Sequence, residues 1–162
     1  MKRSCLKLLA ISGLVGLVVC SGVAAAAPES ARQKVVYHIS DADPERQRAA
    51  LSNIQNHLND SGDDALEIEV VVQGDGVTLL LLPGTYPDLP RNLVPNATDQ
   101  VQIRIENLKI RGVHFEVCAS SLKRRGIDDS GRLFDVDADD IVPSGLAELV
   151  RLQHAGFTYI KP

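Results

Sequence analysis

Apolar and polar positions change period several times along the chain, and each change marks an element. Lys34-Val35-Val36-Tyr37-His38-Ile39 is rich in β-branched residues and predicts a first strand. Asp43 followed by Pro44 has the form of an N-cap with proline at the first helical position. Beyond it, Ala50, Leu51, Ile54 and Leu58 recur at helical spacing, and Asn59-Asp60-Ser61-Gly62 ends the helix. Leu66 to Val72 predicts a second strand. Glu67 and Glu69 alternate at its start, and its apolar end implies burial on both faces. Gly74-Asp75-Gly76 predicts a tight turn, and Val77 to Leu82 a short helix.

Four of the eight prolines then fall in residues 83–96, which predicts an extended loop, a lid or an interface arm. Thr98 can cap a helix with Val101, Ile105 and Leu108 on one face, ending near Gly112; Val101, Ile103 and Ile105 also alternate as in a strand. Val113 to Val117 predicts a strand that ends at Cys118. Ala119 to Arg125 gives the first turns of a helix that Gly126 stops. Residues 127–140 hold six Asp and predict an acidic loop. Ile141-Val142 reads as a short strand. Ser144 caps a helix bearing Leu146, Leu149, Val150 and Leu152, and Phe157 to Ile160 forms a last strand. Strand and helix alternate about five times, the pattern of a parallel sheet covered by helices on both faces. Right-handed crossovers place every strand C-terminus on one edge, where such folds carry their sites.

The hydrophobic fraction of 44% and the charged fraction of 23% suit a folded domain, with no collagen-like or disordered bias. Aromatic residues are only 4% and the net charge is −4, which argues against a nucleic-acid partner. The first 26 residues differ from the rest. Lys2, Arg3 and Lys7 precede an apolar run from Leu8 to Val19, and small residues follow through Ala27. This is the form of a secretory signal peptide, with cleavage expected after Ala26 and a periplasmic or secreted product. The apolar run is too short for a bilayer span. Leu17-Val18-Val19-Cys20 also resembles a lipoprotein box, but Val19 is bulky where a small residue is usual, so lipidation at Cys20, and with it a membrane tether, is disfavoured. The expected organisation is a leader over 1–26, a flexible lead-in over 27–33 and one α/β domain over 34–162. Without the leader the chain has 136 residues, a net charge of −7 and a single cysteine, Cys118. It has no internal disulfide, so a packed core must hold it.

Cys118 is the strongest candidate for chemistry. At a strand end with a helix beginning just after it, the backbone N–H groups near Ser120 and Ser121 favour a thiolate, and Lys123, Arg124 and Arg125 are expected to add to that field. Such a thiolate can accept sulfur as a persulfide, attack a disulfide or be oxidised, including to an intermolecular Cys118–Cys118 disulfide. The alternative is an inert, buried Cys118 in an oligomeric module that binds a small ligand with His38, Asp41, Gly74 and the 83–96 loop. His38, His57, His114 and His154 have no compact ligand spacing, so no metal site is expected. Gly74-Asp75-Gly76 lacks a dinucleotide fingerprint. Asp135, Asp137 and Asp139 only faintly echo a calcium loop, and Asn96-Ala97-Thr98 matches a glycosylation sequon.

The segment Gly112 to Cys118, with Arg124-Arg125-Gly126-Ile127, resembles the DsrE/DsrF-like family, as does the tail from Val142 to Gln153 and Gly156 to Pro162. The first strand and the helix with Asn53, Asn56 and Leu58 are similar as well. The resemblance covers roughly residues 34–162. It implies a three-layer α/β/α fold with a five-stranded, mainly parallel sheet. It also implies homo-oligomers, commonly trimers or hexamers. In its sulfur-relay members a cysteine at this position passes a persulfide between partner proteins. Carried to this chain, that role falls on Cys118, with a sulfur-carrier protein as partner and no metal or organic cofactor. The expected function is an exported sulfur carrier or sulfurtransferase.

Overall fold

The computed structural model describes residues 32–85, 93–127 and 130–162. The leader over 1–26, Cys20, most of the lead-in and the centre of the 83–96 loop lie outside them.

Five strands form the sheet: β1 (Gln33–Ile39), β2 (Leu66–Val72), β3 (His114–Cys118), β4 (Ile141–Val142) and β5 (Thr158–Ile160). Their spatial order is β4-β3-β2-β1-β5, and every neighbouring pair is parallel. The chain steps outward from β1 to β4, then returns across the whole sheet to place β5 beside β1. Right-handed crossovers require the outward and returning connections to use opposite faces. Accordingly α1 (Pro44–Ser61) and α2 (Asp99–Ile110) cover one face and α4 (Gly145–His154) the other, while α3 (Ala119–Arg124) follows β3. No described helix is long and apolar enough to cross a membrane.

Local chemistry sets the ends of these elements. The Asp43 carboxylate accepts the Glu45 N–H, and Pro44 starts α1 where its missing N–H costs nothing. Ile103, at 57% exposure, decides the ambiguous 98–112 segment, because a strand would have buried it with Val101 and Ile105. Val77 to Leu82 is not a separate helix after a turn: a single 3-10 helix runs from Gly74 to Leu79. Gly76 is required there by packing, since a Cβ would lie 2.4 Å from the Ile39 carbonyl oxygen. The acidic 130–140 stretch contains two short 3-10 turns, and Lys109 binds Asp135 at 3.0 Å, which leaves that carboxylate engaged internally. Asn96 is buried and its amide donates to Gln47 Oε1 at 2.7 Å, so in this fold it is a structural amide.

Alternation along the strands gives the two faces different cores. Val35, Tyr37, Ile39, Ile68, Val70, Val72, Phe115 and Val117 meet α1 and α2 in the main cluster. On the opposite face Val36 and Val71 meet only Leu149, Leu152 and Phe157. One correction concerns α4. Leu146 and Val150 belong by spacing to its apolar set, yet they are 66% and 46% exposed. A ten-residue helix crossing a twisted sheet buries a narrow stripe, and Leu149 and Leu152 fill it. Removing Leu152 should therefore cost about 2–5 kcal/mol, as core truncations do, whereas Leu146→Ala should change stability by less than about 0.5 kcal/mol in the monomer. Urea unfolding of the two variants checks this, and equal losses would contradict the placement of α4.

Candidate functional site

The C-terminal ends of β1, β2 and β3 and the start of α4 meet on the face that α4 covers. Odd–even alternation sends Val117 to the α1 and α2 side and Cys118 to the α4 side. Gln73, directly after β2, and His38 on β1 project to the same side. Gly145, the first residue of α4, sits above them. A Cβ on Gly145 would lie 2.8 Å from Gln73 Oε1 and 3.1 Å from Cys118 Cβ, so only glycine lets the helix backbone come this close.

This approach sets the chemistry of Cys118. Burial pushes the thiol pKa up, but the Ser121 hydroxyl and the backbone N–H groups of Gly145, Ser121 and Ser120 near the sulfur outweigh it, so the pKa lies below the ordinary thiol value. Polar groups from two separate helix starts thus lie around one sulfur. Ser121 is itself held, its Oγ accepting the Gly74 N–H at 2.9 Å. Ser120 Oγ donates to the Pro143 carbonyl at 2.9 Å, which ties α3 to the β4–α4 turn. Cys118 is only 3% exposed.

A polar line continues from the thiol across the sheet. The Gln73 amide nitrogen is 2.8 Å from His38 Nε2, and His38 Nδ1 is 2.7 Å from the Tyr159 hydroxyl. With the amide nitrogen as donor, Nε2 accepts, so the ring is neutral and its Nδ1–H donates to Tyr159. Burial, with the charge of Lys161 adding, lowers the His38 pKa.

The structure brings together most of the expected residues, but not all. Cys118, Ser120, Ser121 and Gly74 form one cluster, and Gln73 links His38 to it. Asp41 lies apart, exposed, accepting the Asp43 N–H at 2.9 Å and binding Arg46 at 3.2 Å. It lines, with His38, Arg46, Gln47 and Lys161, a cleft of about 90 Å³ beside the chain terminus. The expected cationic field near Cys118 is not among the causes that lower the thiol, and Arg125 is engaged by Asp75 and the Ser121 carbonyl. Sequence reasoning missed Gly145, Gln73 and Tyr159. The available signal for Gly145 was its position directly after the Ser144 cap, following a strand that pairs with β3.

A second polar group lies nearer the middle of the same face. Glu69 on β2 is directly opposite His114 on β3, and Glu116 is two residues further along β3. His114 Nδ1 is 2.8 Å from Glu69 Oε2 and its Nε2 is 3.1 Å from Asp140 Oδ1. Burial works against the imidazolium, but these carboxylates raise its pKa. Burial, with the charges of Glu148 and Glu69 adding, pushes the Glu116 carboxyl up to about 7.

The DsrE/DsrF-like family profile matches residues 33–162. A solved structure titled as a protein of unknown function, MTH1491 from Methanobacterium thermoautotrophicum, is 30% identical, covers 80% of this chain and 99% of its own, and superposes with a TM-score of 0.62. The ychN protein from E. coli is 22% identical over 80% of this chain and 99% of its own, with a TM-score of 0.55, a likeness of fold. No curated protein matches the chain.

The state of His38 gives a pH signature. Its folded pKa is below the unfolded value of about 6.5, so as pH falls the unfolded chain takes up the proton first. The contribution of His38 to stability is therefore full above about 6.5 and lost below it. The buried carboxylates titrate with the opposite sign, so the quantity to measure is the difference between wild type and His38→Gln. That difference should be flat at neutral pH and shrink on acidification in chemical denaturation. A difference that grows on acidification would contradict the neutral, hydrogen-bonded ring.

Proposed function

We propose, from the premise that the chain belongs to the DsrE/DsrF-like family, that it binds or transfers sulfane sulfur as a persulfide on Cys118. The observation that carries this reading is the burial of the Cys118 sulfur beside the Gly145 backbone, among the Ser121 hydroxyl and the N–H groups of Gly145, Ser121 and Ser120 that hold its pKa down. Donors fixed before reaction stabilise a sulfur anion without reorganisation. The step is a redox-neutral transfer. The Cys118 thiolate attacks the outer sulfur of a donor persulfide R–S–SH, the Cys118 Sγ–S bond forms, the donor's S–S bond breaks and R–S⁻ leaves. Delivery to a sulfur-carrier partner reverses the roles.

The same reading places the protein in the periplasm or outside the cell, on the basic, apolar and small-residue pattern of residues 1–26. It also has the chain self-associating, as a trimer or hexamer. The exposed Leu146 and Val150 on α4 support an interface next to the site.

One observation favours a second reading. At 3% exposure Cys118 is closed to a bulky donor in the single chain. In that reading the thiol is structural and the cleft of His38, Asp41, Arg46 and Lys161 binds a small anionic ligand.

Intact-mass spectrometry after polysulfide treatment separates the two. The first reading predicts added sulfur on Cys118, released by reductant and missing in Cys118→Ser. No sulfur gain, or an equal gain in the serine variant, would contradict it. The mass of the exported protein also reads whether cleavage follows Ala26.

A further inference from the structure

The Glu69, His114 and Glu116 group is not used by the sulfur chemistry, and its geometry is costly as it stands. Glu116 is only 7% exposed, and its Oε2 has no hydrogen-bond partner among the described residues. A buried carboxylate oxygen without a donor loses its hydration and gains nothing in return. Glu148 on α4 adds negative charge to the surroundings of Glu116, and Asp140, which also pairs with Lys109 at 3.8 Å, flanks His114. The nearest cation on α4, Arg151, is hydrogen-bonded to Glu148 at 2.7 Å, so it does not release the orphaned oxygen.

One ligand atom from each of Glu69, His114 and Glu116 lies within 4.8 Å of the other two. We propose that these three side chains bind a divalent transition-metal cation of the zinc type. One imidazole with two carboxylates is a donor set suited to such an ion, and three protein ligands leave a position for water. A tetrahedral site with ligand distances near 2.1 Å sets its donors about 3.4 Å apart, so modest rotamer shifts close the group. The orphaned Glu116 Oε2 then gains a partner, and the cation offsets the crowded carboxylates.

The second layer is already in place. His114 Nδ1 faces Glu69, and Nε2 faces Asp140 Oδ1 at 3.1 Å. When Nδ1 ligates the cation, the Nε2–H donates to Asp140, the carboxylate–histidine–metal arrangement that fixes ring orientation and tautomer. The His114 side chain is 47% exposed and those of Glu69 and Asp140 are 19% and 13%, which gives the ion an entry path from solvent. Asp140 is a positioning residue in this site, because it acts through His114.

The test uses Zn²⁺ titrated into the untagged full chain with Cys5, Cys20 and Cys118 replaced by serine, so that no thiolate can ligate. Binding is followed by competition with a chromogenic zinc indicator, and folding by circular dichroism. The expected result is one Zn²⁺ per chain with a rise in Tm. Glu116→Gln and His114→Ala should each weaken binding at least tenfold, and Asp140→Asn about 10–100-fold. Glu116→Gln keeps the side-chain shape and removes a buried charge, so it should fold. Absence of binding at millimolar Zn²⁺, or undiminished affinity in folded Glu116→Gln or His114→Ala, would overturn the site. The serine background leaves this result independent of sulfur loading on Cys118.

Discussion

The contact between the Gly145 backbone and Cys118 organises the edge of the sheet. A helix N-terminus carries unpaired N–H groups, and α4 can present one to the sulfur only because residue 145 has no Cβ. The same close approach locks three elements together. It seats α4 over β2 and β3, presses on Gln73 and so reaches His38 and Tyr159, and holds the β4–α4 turn where Pro143 accepts from Ser120. The depressed thiol pKa follows from this packing, while burial and the charge of Lys161 lower that of His38.

The sheet topology explains why polar chemistry collects on one face. The outward run from β1 to β4 supplies α1 and α2 for one side, which becomes a continuous apolar core. The single return crossing supplies only α4 for the other. Its buried stripe covers Val36, Val71 and Phe157 and leaves the remaining inward positions to His38, Glu69, Gln73, Glu116 and Cys118. Polar side chains buried there must bond to one another or to helix N–H groups. Cys118 lies among the N–H groups of Gly145, Ser120 and Ser121, and His38 bonds Gln73 and Tyr159. Glu116 Oε2 does not meet that demand: among the described residues it is a buried side-chain oxygen left without a hydrogen-bond partner.

Much of the fold was legible in the sequence because local signals and tertiary packing agree. The Asp43-Pro44 start, the Ala50, Leu51, Ile54 and Leu58 stripe and the Leu66–Val72 strand are all local patterns, and they appear where expected. The departures have tertiary causes. Leu146 and Val150 have helical apolar spacing, but the width of the α4 contact decides burial. The Gly74–Leu79 segment is 3-10, with Gly76 pressed against Ile39 in a contact made across the fold. At the site, Cys118, Ser120 and Ser121 are adjacent in sequence and so could be grouped. Gln73, Gly145 and Tyr159 come from other elements. Glu69 and His114 meet only through the β2–β3 register, which no spacing along the chain reveals.

The central claim is that the Gly145 N–H, admitted by the missing Cβ, helps hold Cys118 toward its thiolate. The most direct test is the thiol pKa of Gly145→Ala, read from thiolate ultraviolet absorbance in chelator-treated protein against a Cys118→Ser reference. Gln73 can swing its amide away, but Gln73 Cβ at 3.0 Å and Cys118 Cβ at 3.1 Å must give ground, so the chain should stay folded with α4 pushed off the sulfur. The account predicts a Cys118 pKa raised above that of the wild type. A folded Gly145→Ala protein with an unchanged thiol pKa would contradict it.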